Sequence, residues 1–471
     1  MMKRILTVMA LAAASAAGVH AQTLARRIVL TDTLFESVQA QPLANPALSP
    51  LRQPVSLSHV SAGFARAGMD AAVDYAVGKG AGYGFFDAAT YMKLGRSTVA
   101  AHASYRNGRR FGSRFCEVSD PQLVYPYYTA DALGGDFRAE EYTFGGSYAS
   151  DFGRGWIFGG RLGYRALLEY RRVDPRPRNV VGRLSAAVGF GRRLGRYRLA
   201  VGADAFRYTQ TGSITFVSEL GEIPVYHLTG LGHHYARFAG TGRSAYFSGW
   251  NRGASLALMP ERRGAVAAVS FGRFTFDKIL RDIDNLPLNT LRRDTWQASA
   301  GWLDSVMSVS AYVTHVARRG RENIFGEPQG NIYPELFSLT TYTSRVTELG
   351  LRACRRFTVR GGCADIFASV SHMRARESYL GEVPASAART RRTRLALGAR
   401  WAAPLASCCV IMLAPSAEQV FGFYTRVGAS AACDFLLRAD KSVGVVLGGA
   451  WRRASARNRG YDLSAALTFK F

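Results

Sequence analysis

The sequence lacks most of what a helical membrane protein or a soluble enzyme needs. Beyond its first 21 residues no apolar run approaches the ~18–20 residues of a membrane helix. The longest, Cys408 to Ala414, stops at Pro415. Acids are scarce, with 34 Asp and Glu against 60 Lys and Arg, a net charge of +26. The six cysteines are too sparse for a disulfide scaffold, and none has zinc-site spacing. No Pro/Ser-rich linker or charge block divides residues 22–471, so one large unit is expected rather than a string of domains. No nucleophile elbow is present. Gly240-Thr-Gly242 lacks the strand-to-helix context and the lysine of a phosphate loop.

What is there is alternation. Residues 1–21 have a basic start at Lys3 and Arg4, an apolar middle and a small residue before a cut near Ala21, the pattern of a secretory signal peptide. At the other end Leu463, Ala465, Leu467, Phe469 and Phe471 share one face of a strand, and Ser464, Ala466, Thr468 and Lys470 share the other. Trp156 to Arg171 alternates in the same way, with aromatics at both ends. An exported chain with apolar/polar strands and no spanning helix must close its backbone into a cylinder in the outer membrane. The fold expected is all-β, a transmembrane antiparallel barrel. Short turns near 94–96, 152–155, 192–196, 260–264, 303–306, 355–362, 403–407 and 438–441 interleave with long connections near 107–139, 172–178, 210–251, 278–293, 318–341, 377–390 and 415–424. Counting them gives about eighteen strands, with sixteen as the fallback, short turns in the periplasm and long loops outside. Residues 54–471 are assigned to the barrel. Residues 22–53 alternate poorly and are read as a periplasmic segment or a plug.

A net charge of +26 on a cytosolic protein would suggest nucleic acid. The export signal argues against it, so no nucleic acid is expected, and phosphates of outer-membrane lipid and lipopolysaccharide become the anionic partners. Arg161, Arg165, Arg171, Arg183, Arg198, Arg394 and Arg400 fall on the polar faces of their strands. Rings of such residues favour anions in a pore. The competing account is an ion-pair network with Glu169 and Asp204. Aromatic-rich loops at Val124 to Tyr128 and Tyr226 to Trp250 suit contact with another outer-membrane transporter or a surface lipoprotein. Cys354 and Cys363 flank a turn and are candidates for a disulfide. His233-His234 point opposite ways on an extended chain, so no metal is assigned. No cofactor is expected. His102 beside Ser104, and His372 near Ser369 and Ser371, are the only motivation for a hydrolase, and the reading is against an enzyme.

Several clusters carry a family resemblance. They are Tyr125-Pro-Tyr-Tyr128 with Ala130-Asp131 and Gly134-Gly-Asp136, Asp174-Pro-Arg-Pro-Arg-Asn179, Gly240-Thr-Gly-Arg-Ser244 with Tyr246-Phe247, and Asn45-Pro-Ala47. In order and spacing they resemble an uncharacterised family of outer-membrane β-barrel proteins typical of Bacteroidota, known as a domain of unknown function. The resemblance implies location and fold and supplies no catalytic residues. Asn45 to Ala47 alone is also similar to the N-terminal hatch of the long-chain fatty-acid transporter family, whose strand number the count here exceeds.

Overall fold

A computed structural model describes residues 24–31, 34–218, 223–240, 244–330, 332–359, 361–381, 385–406 and 408–471. The signal-peptide reading of residues 1–21 lies outside them. The strands are β1 (Leu57–Met69), β2 (Gly80–Leu94), β3 (Ser97–Ser113), β4 (Thr129–Asp131), β5 (Gly135–Gly153), β6 (Trp156–Arg171) and β7 (Arg176–Leu194). They continue as β8 (Tyr197–Thr215), β9 (Val225–Gly230), β10 (His233–His234), β11 (Ala245–Pro260), β12 (Gly264–Leu280), β13 (Leu286–Leu303) and β14 (Met307–Phe325). The last are β15 (Glu335–Val359), β16 (Gly362–Tyr379), β17 (Ser386–Ala406), β18 (Cys409–Val420), β19 (Tyr424–Arg438), β20 (Lys441–Ser455) and β21 (Asn458–Lys470).

Eighteen of these form one closed antiparallel sheet, each strand paired with its neighbour, and β1 pairs with both β2 and β21. The closing seam runs from His59 opposite Lys470 to Met69 opposite Gly460. Eighteen strands hold, and the fallback of sixteen does not. Alternation orients the wall. Phe158, Leu162 and Tyr164 on β6 and Leu184, Val188 and Phe190 on β7 are exposed, while their neighbours Ile157, Leu167 and Val181 are buried inside. An exposed apolar face on a closed barrel is a lipid-facing band. Trp156 stacks on Phe190 at 4.9 Å near the short-turn rim, as an interfacial aromatic does. The hairpin after β5 turns on Arg154 and Gly155, both at positive φ (53° and 78°), the geometry that joins strands without splaying them.

The long connections are shorter than the alternation suggests. Those near 278–293, 318–341 and 415–424 contract to 281–285, 326–334 and 421–423, because the strands climb on beyond the lipid band. Two connections depart from this. Those after β3 and β8 fold together, β4 pairing with β9 and β9 with β10, in a three-stranded sheet separate from the wall.

The described residues between 24 and 52 lie inside the barrel near its short-turn rim. Helix Leu24–Leu30 lies against β16, β17 and β18, helix Leu34–Val38 against β14 to β16, Pro42–Ala44 against β11 and β12, and Pro46–Leu51 against β3 and β5 to β8. They thus follow the inner wall round most of its circumference. Asn45-Pro46-Ala47 sits where the wall has no side chains. A Cβ on Gly159 would meet the Pro46 carbonyl carbon at 2.3 Å, and one on Gly189 would meet the Asn45 Oδ1 at 2.1 Å. Asn45 Oδ1 in turn accepts a hydrogen bond from the Ala47 amide.

Val370 and Ser369 are adjacent on β16 and face opposite sides of the wall. Val370→Arg places a charge in hydrocarbon and is expected to cost about 2–4 kcal/mol. Ser369→Arg faces water and should cost far less. Denaturant unfolding from lipid vesicles measures both; equal losses would mean that the band does not face lipid.

Candidate functional site in the lumen

The outer half of the lumen is filled by the chain's own loops. The connection from Arg114 to Gly134 turns inward through a short helix, Pro121–Val124, and its aromatics enter a core with the wall. Tyr127 is fully buried, and Gly320 of β14 is bare where its ring lies. Tyr125 donates to the Glu377 carboxylate and makes edge contact with Tyr342 at 6.0 Å. Phe247, Phe274 and Phe276 close the core from β11 and β12.

Charge fixes this insert in place. Arg171, at the top of β6, is fully buried. Its Nη2 donates to Asp131 of β4 at 2.8 Å and to the Pro175 carbonyl at 2.7 Å, and it stands 3.5 Å from Glu117. Arg110 of β3 holds Glu169 of β6 through two bonds of 3.0 and 3.1 Å, and reaches the Ala76 carbonyl from the preceding loop. Arg165 bonds Asp120, just ahead of the short helix, at 2.9 Å and Glu141 at 3.1 Å. Tyr208 also donates to Asp120, and Asn179 donates to the Glu117 carbonyl at 2.7 Å. Asp174 accepts from the Val217 and Ser218 amides, tying the next loop in. The short motifs that carry the family resemblance, Tyr125–Tyr128, Asp131, Gly134–Asp136 and Asp174–Asn179, thus converge on one mouth. Of the Gly240–Ser244 cluster, residues 241–243 lie outside the described residues.

Beneath the insert is a shelf of arginine and aromatic rings. Arg183 lies 4.1 Å over Phe206, Phe206 stacks on Phe274 at 5.3 Å, and Arg293 lies 5.3 Å over Phe274. Arg318 stands opposite Arg293 and donates to the Gln122 carbonyl of the insert. Two pleat steps further down, a cavity of about 400 Å³ separates the shelf from the inner segment. Its lining is mixed: Asp204, Ser270, Gln297, Thr314 and Arg352 stand across from Gln41 and Asn45, among alanines and the aliphatic Val188, Leu256 and Val269.

The seven arginines singled out from the sequence therefore divide. Arg165 and Arg171 hold the mouth insert. Arg400 donates to the Ile28 and Val29 carbonyls and holds the inner segment. Arg198 pairs with Glu261 at the short-turn rim, and Arg394 with Glu418. Arg161 and Arg183 form no salt bridge among the described residues. Arg165 and Arg183 face each other directly across β6 and β7. The network with Glu169 and Asp204 has other members: Glu169 binds Arg110, and Asp204 accepts from Asn251. Asp131 belongs to a motif that carries the family resemblance, but Arg110, Asp120, Glu117, Arg293 and Arg318 were not singled out. The only signal for the last two was strand parity; the loop acids gave none.

The disulfide between Cys354 and Cys363 does not form; both thiols are free. The register sets Cys363 opposite Thr358 and Cys354 opposite Phe367, an offset of four residues along β15 (358 − 354). That is roughly 13 Å of strand, well beyond the ~7 Å Cα reach of a disulfide. His102 faces the lumen over Gly145. His372 shares the lipid face with Leu349 and Val370 and contacts Thr393, whereas Ser369 and Ser371 point inward. Neither histidine meets a serine and an acid among the described residues. His233 stacks on Tyr379 and His234 packs on Tyr226, so the two diverge.

This geometry is that of a membrane-spanning, outer-membrane-type barrel with an ordered mouth. Residues 46–416 match the Family of unknown function (DUF6850), and the chain belongs to that family. No curated protein matches the chain. Among solved structures it is similar to BauA, the ferric preacinetobactin receptor from Acinetobacter baumannii, at 10% identity over 88% of this chain and 80% of that one, with a TM-score of 0.40. It is similar to the siderophore receptor PirA from Pseudomonas aeruginosa at 9% identity over 88% and 80%, TM-score 0.38. It is also similar to the P. putida toluene transporter TodX at 9% identity over 91% and 92%, TM-score 0.33.

Glu117 lies on the inserted connection, not on a spanning strand. Burial, then the neighbouring Asp131 carboxylate, push its carboxyl up to about 8, against the pull of Arg171 and Lys278. The inserted loop therefore keeps a proton that a released loop would give up. Insertion should be firmest below pH 4.5, the ordinary value, and should weaken progressively as pH rises to 8. Protease cleavage within residues 114–134 of the folded barrel is expected to increase over that range, and Glu117→Gln to flatten the profile. Arg171→Met leaves two buried carboxyls without their cation, a loss of about 3–5 kcal/mol, and should expose the loop at every pH. A loop that stays equally protected in all three proteins would remove the latch.

Proposed function

We propose that this protein is an outer-membrane transport barrel whose mouth insert gates the passage of acidic solutes. The observation that carries the reading is the shelf under the insert. Arg183 and Arg293 make no salt bridge among the described residues, and both stand at lumen-facing positions of β7 and β13, above the cavity and off the lipid face. Cations held on aromatic faces in a water-filled lumen favour anions. A barrel of ~16–18 strands is wide enough for an aqueous path once its fillers move. In this reading residues 1–21 direct export and are removed near Ala21, and residues 22–53 serve as an internal plug.

A second reading is favoured by one surface feature. Leu336, Phe337 and Leu339, on the part of β15 beyond the lipid band, are 62%, 51% and 51% exposed. An apolar patch there suits a transport-accessory subunit docked on a transporter or surface lipoprotein.

Planar-bilayer recording on the purified protein tests the first reading. Replacing residues 116–132 with a short Gly/Ser linker should raise single-channel conductance severalfold. The reversal potential of that variant should show anion preference, and Arg183→Gln with Arg293→Gln should reduce it. Silence from the inserted, folded, loop-deleted barrel would overturn the transport reading.

A further inference from the structure

The wall carries a second set of arginines, on its outside. The register places Arg345 of β15 opposite Arg376 of β16, and Arg376 opposite Arg389 of β17. One pleat step nearer the short turns, Arg374 stands opposite Arg391. All five are exposed, and they share a face with Leu349, Val370 and Leu395, which belong to the lipid band. Neighbouring strands are ~4.8 Å apart and same-face residues ~7 Å. The Cα positions of the five arginines therefore fall within a patch of about 10 by 7 Å.

Like charges directly opposite each other weaken a strand pair. Elsewhere this wall neutralises such a cluster. On β12 and β13, Asp294 binds Arg273 at 2.7 Å and Arg292 at 2.8 Å. On β15 to β17 none of the five arginines forms a salt bridge among the described residues. The outward positions around them are Thr343, Thr347, His372, Ser378 and Thr393, none of them an acid; His372 Nε2 accepts from Arg374 at 3.3 Å. No carboxylate among the described residues meets this patch, which leaves it open to an anion from outside the chain.

Position identifies it. The patch lies on the long-connection side of the lipid band, at the height of outer-leaflet headgroups. Directly below it, toward the short turns, Val370, Leu351 and Leu397 are 42%, 54% and 51% exposed and offer an apolar track. A ligand that fits both has phosphate above and acyl chains below. Arginine's planar fork matches phosphate oxygens better than a lysine point charge does.

We propose that this face of β15, β16 and β17 binds a phosphorylated glycolipid of the outer leaflet. Its phosphates sit on Arg374, Arg376, Arg389 and Arg391, and its acyl chains lie along the wall beneath. The site is outside the barrel and does not depend on what passes through the lumen.

The test uses the full chain refolded in detergent and three probes: lipid A bearing its phosphates, the same lipid dephosphorylated, and inorganic phosphate. Wild type should bind phosphorylated lipid A about tenfold more tightly than the dephosphorylated form. Arg374→Gln/Arg376→Gln/Arg389→Gln/Arg391→Gln should lose that preference. Heat-dependent gel mobility reports whether the variant is folded. If it is not, Arg376→Gln/Arg389→Gln replaces it, with about half the loss expected in free-energy terms. Millimolar inorganic phosphate should not displace the lipid. Equal binding of the two lipids, an unchanged preference in the folded variant, or displacement by inorganic phosphate would each overturn the proposal. So would recovery from native membranes with an acidic protein and no glycolipid on this face.

Discussion

Every feature of this protein descends from the cost of an unpaired backbone amide in hydrocarbon. One strand cannot meet that requirement and neither can an open sheet, so β1 must find β21 across the whole length of the chain. Closure then sorts every residue by parity into a lipid face and a lumen face. It also sorts the connections into a short-turn rim and a long-loop rim. With eighteen strands the cylinder is too wide for its own side chains to fill. The chain supplies the filling from elsewhere, as a leading segment laid along the short-turn rim and as two loops folded down from the other.

Positive charge is the common currency of both faces. Inside, Arg110, Arg165 and Arg171 pair with carboxylates, and Asp120 and Asp131 of the mouth insert are among them. A buried ion pair adds little net stability, but removing one partner is costly. Such pairs therefore fix where the insert sits more than how stable the barrel is. Outside, Asp294 neutralises Arg273 and Arg292, but on β15 to β17 the same residue type stands in rows without an acid among the described residues. A single surplus of +26 is thus divided between anchoring the chain's own acids and presenting cations to whatever anions meet the lumen or the outer surface.

The wall was legible in the sequence because parity is a local signal. Trp156 to Arg171 could be bounded to the residue, and its inward and outward sets were assigned correctly, since each depends only on its neighbours. The strand beginning at Cys409 was harder to see, because Pro415 interrupts its apolar run within the strand. The site was much less legible. That Arg171 would bind Asp131, forty residues away, depends on a loop turning inward, and the loop's own sequence does not encode its direction. Gly159 and Gly189 read as ordinary small residues on a strand; their purpose appears only when Asn45 and Pro46 arrive from more than a hundred residues upstream. The outward arginines followed the rule of parity, but their alignment into rows needed the register between strands, which period two does not set.

The two fillers differ in kind, and the difference bears on the proposed gate. The inner segment meets the wall backbone to backbone, through glycines that leave no room for adjustment, with Ala47 and Leu48 fully buried. Such contacts are close-packed and do not respond to conditions. The mouth insert also has an apolar core, but its position is set by Asp120, Asp131 and Glu117 against arginines. One of those carboxyls changes charge between mildly acidic and mildly alkaline pH. An element that is to open must have a bond whose strength can change without unfolding the wall. Among the contacts described the mouth has such a bond, and the glycine-backbone seat of the inner segment does not, so the long-loop side is where the proposed gate would act.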